Sequence, residues 1–423
     1  MKASFSVRIK IRRDYLIEAI NSFLAADSKI TEMKLISEEE CFQQYYFKIV
    51  SSDVQKFKIC INLLKASDDK FMNIECVNDL EKSLQEGMLK VIPTLPADTP
   101  ENYEMNILGG REILLESILE AEKPYEISGI RKTAAFISVL NKKRANEPTL
   151  FFSEYARTET DSLSASLFSG INAFPFILEY EIIEDLYKTL ISFEKSFSSI
   201  RILSLDESHD VSIYQHMSEN IHVPFLSHYY DEIPLFIITA VDKMLSKHRQ
   251  KLSESTVGFI GLNSSVMRSV KLLKKMSCER ILGFDSNEKT MLSFERTGGL
   301  ATTAENIFGN CDIVVMIKNC FTDEDVERMR PNLLVVSNLD DEEEDSKIVN
   351  NRLCRDIMKG KWFEASSLFS FILPEMIEQR VMYLSDDFLV ALSQKMGKEI
   401  SSDLKFPGPF DDRIKNLIKE SFR

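Results

Sequence analysis

Short apolar runs that alternate with helical patterns after Thr256 constrain the fold of this chain more than any other feature. TVGFIGL, RILGFD, DIVVMI and NLLVVSN have the composition of buried strands, and SSVMRSVKLLKKM, between the first two, has the helical period. Strands that alternate with helices need right-handed crossovers, and such crossovers build a parallel sheet. We therefore predict a Rossmann-like, doubly wound α/β domain over residues 251–423.

The first 80 residues follow a different order of elements. FSVRIKIR, ITEMKLIS, CFQQYYFKIV and KFMNIECV alternate as half-buried strands do, whereas YLIEAINSFLAA and VQKFKICINLLKA have the helical period. The resulting βαββαβ order is the ferredoxin-like plan, and it resembles that of ACT regulatory domains. Many ACT domains bind effectors near a glycine in the first turn, but this turn is Arg12-Arg13-Asp14. Dimerisation is therefore the simpler role for residues 1–80.

Two polar stretches divide the rest of the chain. The segment before residue 100 ends in the proline-rich VIPTLPADTP, and KHRQKLSES precedes the apolar run at Thr256. Between them, FPFILEY and IRILSL are predicted to be buried strands of a further α/β domain. We therefore expect three domains, over residues 1–80, 81–250 and 251–423.

Charge and cysteine content exclude several classes of function. The chain has 52 Lys and Arg against 66 Asp and Glu, a net charge of −14, so it has no excess of cations for nucleic acid. No run of about 18 apolar residues is present to span a membrane, and the start, MKASFSVRIKIRR, lacks the pattern of a secretory signal. The seven scattered cysteines lack CxxC spacing, which favours reduced thiols and a cytoplasmic protein.

The turn after the first strand of the 251–423 domain partly matches a dinucleotide fingerprint. Such a fingerprint needs three glycines, for a tight turn, close approach of the pyrophosphate and helix packing. Gly261 supplies the first, but Asn263 and Val266 occupy the second and third positions. A Cβ atom at Asn263 would intrude on the space that a pyrophosphate occupies.

Other residues of this turn could still serve a nucleotide. Ser264 or Ser265 could cap the following helix or bind an anion at its N-terminus, and Asp285, 24 residues after Gly261, is placed to accept from ribose hydroxyls. Two interpretations stay open: a weakened NAD site, and a Rossmann-like scaffold retained for its packing.

Seven short stretches, in the same order along the chain, resemble motifs of bacterial NAD-dependent malic enzymes. MNILGGREILLES and KPYEISGI resemble the first catalytic motif and its Y-T-P-G-V, and GINAFPF resembles G-I-D-A-F-P. ILSLDES resembles I-N-L-E-D-I, and VPFLSHYYDEIPLFII stands in place of P-V-F-H-D-D-Q-H-G-T-A-I. PNLLVVSNLDDEEED and FPGPFDDRI resemble two motifs nearer the C-terminus. The resemblance rests on this colinearity over nearly the whole chain, and some bacterial malic enzymes also carry an N-terminal ACT-like domain.

The resemblance implies a reaction and a set of site residues. Malic enzymes oxidise malate with NAD(P) and decarboxylate the product, with a divalent metal to polarise oxygen and a tyrosine and a lysine to transfer protons. On this resemblance Tyr125 is the catalytic tyrosine, Asp206 and Glu207 are carboxylate ligands for Mn²⁺ or Mg²⁺, and Asn338 contacts the substrate.

Several departures from the family pattern bear on activity. The aspartate pair of H-D-D-Q falls on His228 and Tyr229, and SEYARTETDSLSASLFSG contains no lysine where the catalytic one is expected. Ser366 and Ser367 replace the paired asparagines. Without the lysine and one metal carboxylate the site loses its base and much of its Lewis acid, so efficient malate decarboxylation is not expected.

Histidines offer an alternative metal site. His209, His216, His222 and His228 lie close in sequence to Asp206 and Glu207, but their spacing matches no compact zinc signature. A remodelled metal site and ordinary surface histidines are the two interpretations. Tyr229 and Tyr230 are either proton donors in a cleft or, more simply, a pair packed at a domain interface with bonded hydroxyls.

Three functional hypotheses follow. The first is a degenerate malic-enzyme homologue, a homodimeric scaffold that binds a nucleotide or small carboxylate without efficient turnover. The second is an active NAD-linked oxidoreductase for another 2-hydroxy acid, which uses Tyr125, Asp206, Glu207 and Asp285. The third is a structural or interaction protein that assembles through its ACT-like domain.

Overall fold

The structure of the 423-residue chain is a computed structural model. It describes residues 3–39, 41–67, 69–78, 99–103, 132–141, 148–204, 210–337, 354–359, 368–399 and 410–423. The chain divides into two compact units, Met1–Ile92 and Pro93–Arg423.

The first unit is a four-stranded antiparallel sheet with two helices. Its elements, in chain order, are β1 (Ala3–Arg12), α1 (Leu16–Ala25), β2 (Ser28–Glu38), β3 (Phe42–Ser51), α2 (Val54–Lys65) and β4 (Phe71–Asn78). The strand order is β2-β3-β1-β4, and the neighbouring strands are antiparallel. This is the predicted βαββαβ plan, whereas its assignment to the ACT type stays a prediction.

One face of this sheet and the two helices enclose the core of the first unit. Phe5, Val7 and the next two alternate residues of β1 are buried, as the period of two requires. Phe57 of α2 packs on Phe5 with ring centroids 4.4 Å apart. Asp53 caps α2 by accepting from the backbone N–H groups of Gln55 and Lys56.

The second unit begins with a four-stranded parallel sheet. Its strands are β5 (Thr133–Asn141), β6 (Asn172–Tyr180), β7 (Ser199–Ser204) and β8 (Phe225–Ser227), in the order β6-β5-β7-β8. The helices are α3 (Pro100–Tyr103), α4 (Pro148–Phe168), α5 (Ile183–Phe193) and α6 (Asp210–Asn220), followed by a π-helix (His228–Glu232) and α7 (Ile233–Lys247). The predicted strands FPFILEY and IRILSL lie on β6 and β7, and α4 contains the segment without a lysine.

A six-stranded parallel sheet follows, as the alternating pattern predicts. The strands are β9 (Thr256–Ile260), β10 (Arg280–Phe284), β11 (Leu300–Ala301), β12 (Ile313–Met316), β13 (Leu333–Ser337) and β14 (Cys354–Lys359). Their order, β11-β10-β9-β12-β13-β14, is the 3-2-1-4-5-6 order of a Rossmann sheet. The helices are α8 (Ser264–Lys275), α9 (Glu288–Arg296), α10 (Ala304–Asn310), α11 (Asp323–Glu327), α12 (Phe369–Glu378), α13 (Asp386–Glu399) and α14 (Asp412–Ser421).

Helix α7 joins the two sheets of the second unit through a shared core. Nearly all of its residues from Ile233 to Leu245 are buried, and one cluster of buried residues extends from Phe136 of β5 to Val257 of β9. The predicted division near residue 250 therefore lies inside this unit. Among the described helices, none is long and apolar enough to cross a membrane, and the cytoplasmic location stays a prediction.

Candidate functional site

The turn that the sequence predicts to bind a nucleotide follows β9, and the loop after β10 lies beside it. Gly261 has φ +80°, and a Cβ atom on it would lie 2.5 Å from the backbone nitrogen of Lys318. Because L side chains rarely adopt this conformation and no space is left for one, only glycine fits here. The first glycine of the fingerprint is thus required by the turn itself, with or without a ligand.

Asn263 caps the helix that begins after this turn. Its side-chain oxygen accepts from the backbone N–H of Val266 at 3.0 Å, so one amide that a pyrophosphate would use is already bonded. Neither Ser264 nor Ser265 is the cap that the sequence suggested. The Ser265 hydroxyl instead donates to the carbonyl oxygen of Tyr229 at 2.6 Å, and Val266 is fully buried in the core.

Asp285 lies where predicted, just after β10, but its carboxylate is held by the protein. One oxygen accepts from the backbone N–H of Leu262 at 2.8 Å and the other from that of Asn287 at 2.9 Å. The side chain is buried. Asp285 therefore ties the fingerprint turn to the next loop, and a ribose hydroxyl would have to share these two oxygens.

A buried ionic network lies beside the π-helix. The fully buried Arg201 of β7 donates to both carboxylate oxygens of Glu232, at 2.6 and 2.8 Å, and to Asp161 of α4 at 2.7 Å. Its guanidinium group also lies 3.9 Å from the ring centroid of Phe369 and 5.2 Å from that of Phe136. Bidentate geometry and stacking on rings are the features that make arginine the suitable cation for a dry interior.

Charge compensation sets the protonation state of Glu232. Burial by itself raises the pKa of this carboxyl, but the charge and hydrogen bonds of Arg201 outweigh that effect and lower the pKa to about 2. Glu232 is therefore ionised at every physiological pH. Its negative charge is not available to another cation unless the buried ion pair with Arg201 is broken.

His228 is the second partner of Glu232. Its Nδ1 lies 2.8 Å from a Glu232 oxygen, and its side chain is buried. Burial lowers the pKa of His228, and the nearby charge of Arg157 lowers it further, against the opposite effect of Glu232. The imidazole is therefore neutral near pH 7, with Nδ1–H donating to the carboxylate and Nε2 left as an acceptor.

Asp231 occupies a different environment from its neighbour Glu232. It is fully buried and accepts from the backbone N–H of Ser227 at 2.9 Å and from the Tyr214 hydroxyl at 3.0 Å. Burial raises the pKa of Asp231 to about 7, against the lowering effect of these hydrogen bonds and of Arg268. Burial thus favours the protonated form of this carboxyl far more than in an exposed aspartate.

The two tyrosines beside these acids fill packing roles. The Tyr230 hydroxyl accepts from Arg268 of α8 at 3.2 Å, and Arg268 also lies 2.6 Å from Asp386. Tyr229 accepts from Arg157 at 3.5 Å. The pair therefore connects α4 to α8, in agreement with the simpler interpretation of the sequence.

Most residues assigned through the family motifs lie outside the described residues. These are Tyr125, Asp206, Glu207 and Asn338, together with Ser366, Ser367 and His209. Their roles stay predictions.

The other histidines do not meet at one point. His216 stacks on Tyr187, with ring centroids 4.0 Å apart, His222 faces Glu194, and His228 faces Glu232. In the ranges that the structure describes, no group of three His, Cys, Asp or Glu side chains could hold a metal ion.

Sequence reasoning missed the network around Arg201. The available signal was an arginine inside the otherwise apolar strand SIRILS, because a charge within a buried strand requires a partner. Its partners could not be identified in this way, since Asp161 lies 40 residues before it and Glu232 lies 31 residues after it.

Two parallel sheets that share a core, one of them in Rossmann order, define an α/β protein with a Rossmann-type domain. No family model matches the sequence. The NAD-dependent malic enzyme 1 of Bacillus subtilis is 24% identical over 148 residues, which are 35% of this chain. That match spans about a third (34%) of the Bacillus enzyme.

Solved structures extend the likeness to most of the chain. The NAD-dependent malic enzyme of Thermotoga maritima has a TM-score of 0.68 and 17% identity, over 82% of this chain and 99% of that one. The malic enzyme of Pyrococcus horikoshii has a TM-score of 0.67 and 14% identity, over 81% and 89%. That of Entamoeba histolytica has 0.64 and 13%, over 81% and 79%. The fold is that of the malic enzymes, and the resemblance predicted from the motifs is confirmed.

Proposed function

We propose that this chain is a malic-enzyme homologue that binds a nucleotide or small carboxylate and has little or no malate-decarboxylating activity. One observation carries the proposal. The two acids in the segment that stands in place of H-D-D-Q-H-G-T-A, Asp231 and Glu232, are both bonded within the protein. The segment therefore stabilises the interior and does not present a carboxylate to a metal.

The buried hydrogen bonds and ion pairs of this segment oppose its use as a metal site. Withdrawal of Glu232 from Arg201 would break a fully buried, bidentate ion pair, which is unfavourable even though Asp161 stays bonded to Arg201. Asp231, with a pKa of about 7, is a poor ligand because a metal binds the ionised carboxylate and must displace the proton. The residues present thus do not fit the third carboxylate of a Mn²⁺ or Mg²⁺ site, and Asp206 and Glu207 would have to hold any metal.

Nucleotide binding is proposed in a weakened form. Gly261 preserves the tight turn, and Asp285 stands at the end of β10, as an NAD site requires. Asn263 opposes tight binding because it places a side chain at the N-terminus of α8 and already occupies the N–H of Val266. We expect NAD to bind weakly, with a Kd of about 1 mM.

Steady-state kinetics test the proposal directly. The full chain, incubated with malate, NAD and Mn²⁺, should form NADH no faster than a blank without protein. Calorimetric titration with NAD, NADH and malate should in parallel detect binding of at least one. Turnover near one per second or faster, a normal enzymatic rate, would contradict the proposal.

A second candidate function, an oxidoreductase for another 2-hydroxy acid, is favoured by His228. A neutral imidazole whose Nδ1–H is held by a carboxylate is oriented to accept a proton at Nε2. This function predicts NADH formation with some member of a panel of 2-hydroxy acids. The activity should be lost in His228→Gln and retained in His216→Gln, whose ring stacks on Tyr187.

A further inference from the structure

A lysine lies against the turn of Gly261, at the point where the order of strands in the Rossmann sheet reverses. β9 pairs with β10 on one side and with β12 on the other, and Ile260 is the last paired residue on both sides, opposite Phe284 and Met316. In sheets of this order, ligands bind in the crevice beyond the carboxyl ends of the strands at this reversal. The residues that follow Ile260 and Met316 therefore lie at this crevice.

Lys318 is the second residue after β12, and its position is fixed by the backbone. Its neighbour Ile317 donates its backbone N–H to the carbonyl oxygen of Ile260 at 2.8 Å, so the chain stays bonded to β9 for one residue beyond β12. A Cβ atom on Gly261 would lie 2.7 Å from the Cβ atom of Lys318 and 3.0 Å from its Cγ atom. The half-buried stem of Lys318 is therefore in direct contact with the fingerprint turn.

The turn itself has fewer groups for a phosphate than a complete fingerprint offers. Asn263 bonds the backbone N–H of Val266 and places a Cβ atom where a glycine would admit the pyrophosphate. The fixed charge on the β10 side is negative, because the Asp285 carboxylate accepts from the N–H of Leu262. A phosphate at this turn therefore needs a positive charge from another part of the protein.

Lys318 carries such a charge on the β12 side of the turn, opposite Asp285. β10 and β12 flank β9 on its two sides, so the residues that follow them approach the turn from opposite directions. A lysine ammonium is a compact charge on a flexible stem, and as a point charge it is a common phosphate-binding group in proteins. It can approach a phosphate without the close backbone contact that Asn263 prevents.

We propose that Lys318 binds the phosphates of a nucleoside diphosphate at this turn, in place of the backbone contacts that the missing glycines would give. The shared chemistry is the diphosphate, which is present both in free ADP and in NADH. This inference rests on the nucleotide binding proposed above and names the group that holds the ligand. Affinity at such a site follows the phosphate charge and not the nicotinamide ring.

A ligand series tests this on the full chain. In calorimetric titrations at low salt, ADP and NADH should bind with similar Kd values, AMP more weakly, and adenosine not detectably. An increase in NaCl from about 50 to about 500 mM should weaken the binding of ADP several-fold, because salt screens the attraction between exposed charges. Binding of NADH without binding of ADP would show that the nicotinamide half carries the affinity, against the proposal.

Substitutions of Lys318 separate its charge from its stem. Lys318→Met keeps the stem and should weaken the binding of ADP and of NADH by about tenfold, as expected for the loss of a hydrogen bond to a charged group. Lys318→Arg keeps the charge and should retain most of the affinity. The matched control is Lys271→Met, which removes an exposed lysine of α8 and should leave binding unchanged. Urea midpoints equal to that of the wild type would show that each variant is folded.

The opposite effect is expected if Lys318 only fills the crevice. In that case Lys318→Ala, which removes both stem and charge, should bind NADH more tightly than the wild type does. Such tightening, unchanged affinity in Lys318→Met, or a wild type that binds neither ADP nor NADH would overturn the proposal. Unchanged affinity in Lys318→Met would leave the proposed function intact, whereas rapid malate turnover would contradict that function alone.

Discussion

Arg201 is a fully buried cation that pairs with two carboxylates. It shares its single positive charge between Glu232 and Asp161, has no exposed surface of its own, and stacks on Phe369. Such a network adds little net stability compared with apolar residues of similar volume, but it is costly to break, because the remaining charges stay buried. Its contribution is to fix β7, α4 and the π-helix in one arrangement.

Substitution of Arg201 by Met should destabilise the second unit by about 3–5 kcal/mol, the usual cost of an uncompensated buried charge. A urea titration followed by circular dichroism measures this as a lower midpoint. The matched control is Arg413→Met, which removes an exposed arginine paired with Asp411 and should leave the urea midpoint nearly unchanged. Equal effects of the two substitutions would contradict the role assigned to Arg201.

Asp231 makes stability depend on pH in the opposite sense to an ordinary ion-paired acid. Its pKa is raised from 3.8 to about 7, so the folded state binds a proton between these values that the unfolded state has released. The contribution of Asp231 to stability is therefore fully present below pH 3.8 and is lost as pH rises through 7. Each unit of pKa difference corresponds to about 1.4 kcal/mol.

The variant Asp231→Asn should remove this dependence, because an amide does not ionise and can still accept from Ser227. Urea midpoints at about pH 5.5 and 8.5 should show the variant gaining stability relative to the wild type, by about 1–3 kcal/mol, at the higher pH. A difference between variant and wild type that does not change with pH would show that Asp231 does not titrate in this range.

Among the elements, the π-helix His228–Glu232 fixes the positions of the buried acids at the centre of the second unit. Ser227 caps it by accepting from the N–H of Tyr230, and side chains four residues apart meet on one face of such a turn. His228 and Glu232 are thereby brought together at 2.8 Å. The element directs its acids into the interior, where they meet Arg201 and Tyr214.

Helix α8 permits a test of the nucleotide site by restoring a glycine. Asn263→Gly frees the N–H of Val266 and removes the side chain at the helix N-terminus, at a cost of only a few tenths of a kcal/mol. We expect NADH to bind more tightly to this variant in a fluorescence titration. Asn263→Ala, which removes the cap but keeps a Cβ atom, should gain less. Weaker or unchanged binding of NADH to Asn263→Gly would argue for a scaffold without a nucleotide.

At the level of the whole molecule, each compact unit encloses its own hydrophobic core. The buried cluster of the first unit runs from Phe5 to Phe71, and the three clusters of the second contain no described residue before Ala134. A unit that has its own hydrophobic core can fold independently.

A chain limited to residues 93–423 should therefore stay soluble and unfold cooperatively, with a urea midpoint close to that of the second unit in the full chain. Circular dichroism measures both. Aggregation of this fragment, or a midpoint lower by more than about 1 M, would show that the second unit requires the first.

Much of the architecture was predictable because it depends on local patterns. The period-two alternation of FSVRIKIR places β1, and the continuous apolar runs around Val257 and Val314 place the buried strands of a parallel sheet. The cap of α8 was predicted less well, because Asn263, Ser264 and Ser265 are all good capping residues and their local backbone decides between them.

The sequence by itself determined the order of helices and strands in the first unit, the parallel sheet after Thr256 and the likeness to malic enzymes, since periodicity and motifs are read from neighbouring residues. Only the tertiary structure decided what Glu232 and Asp231 do. Adjacent in sequence and chemically alike, they have pKa values shifted in opposite directions, lowered for Glu232 and raised for Asp231, because one contacts Arg201 and the other does not. This ion pair joins residues that are 31 positions apart. No local pattern in a single sequence identifies two partners at that distance.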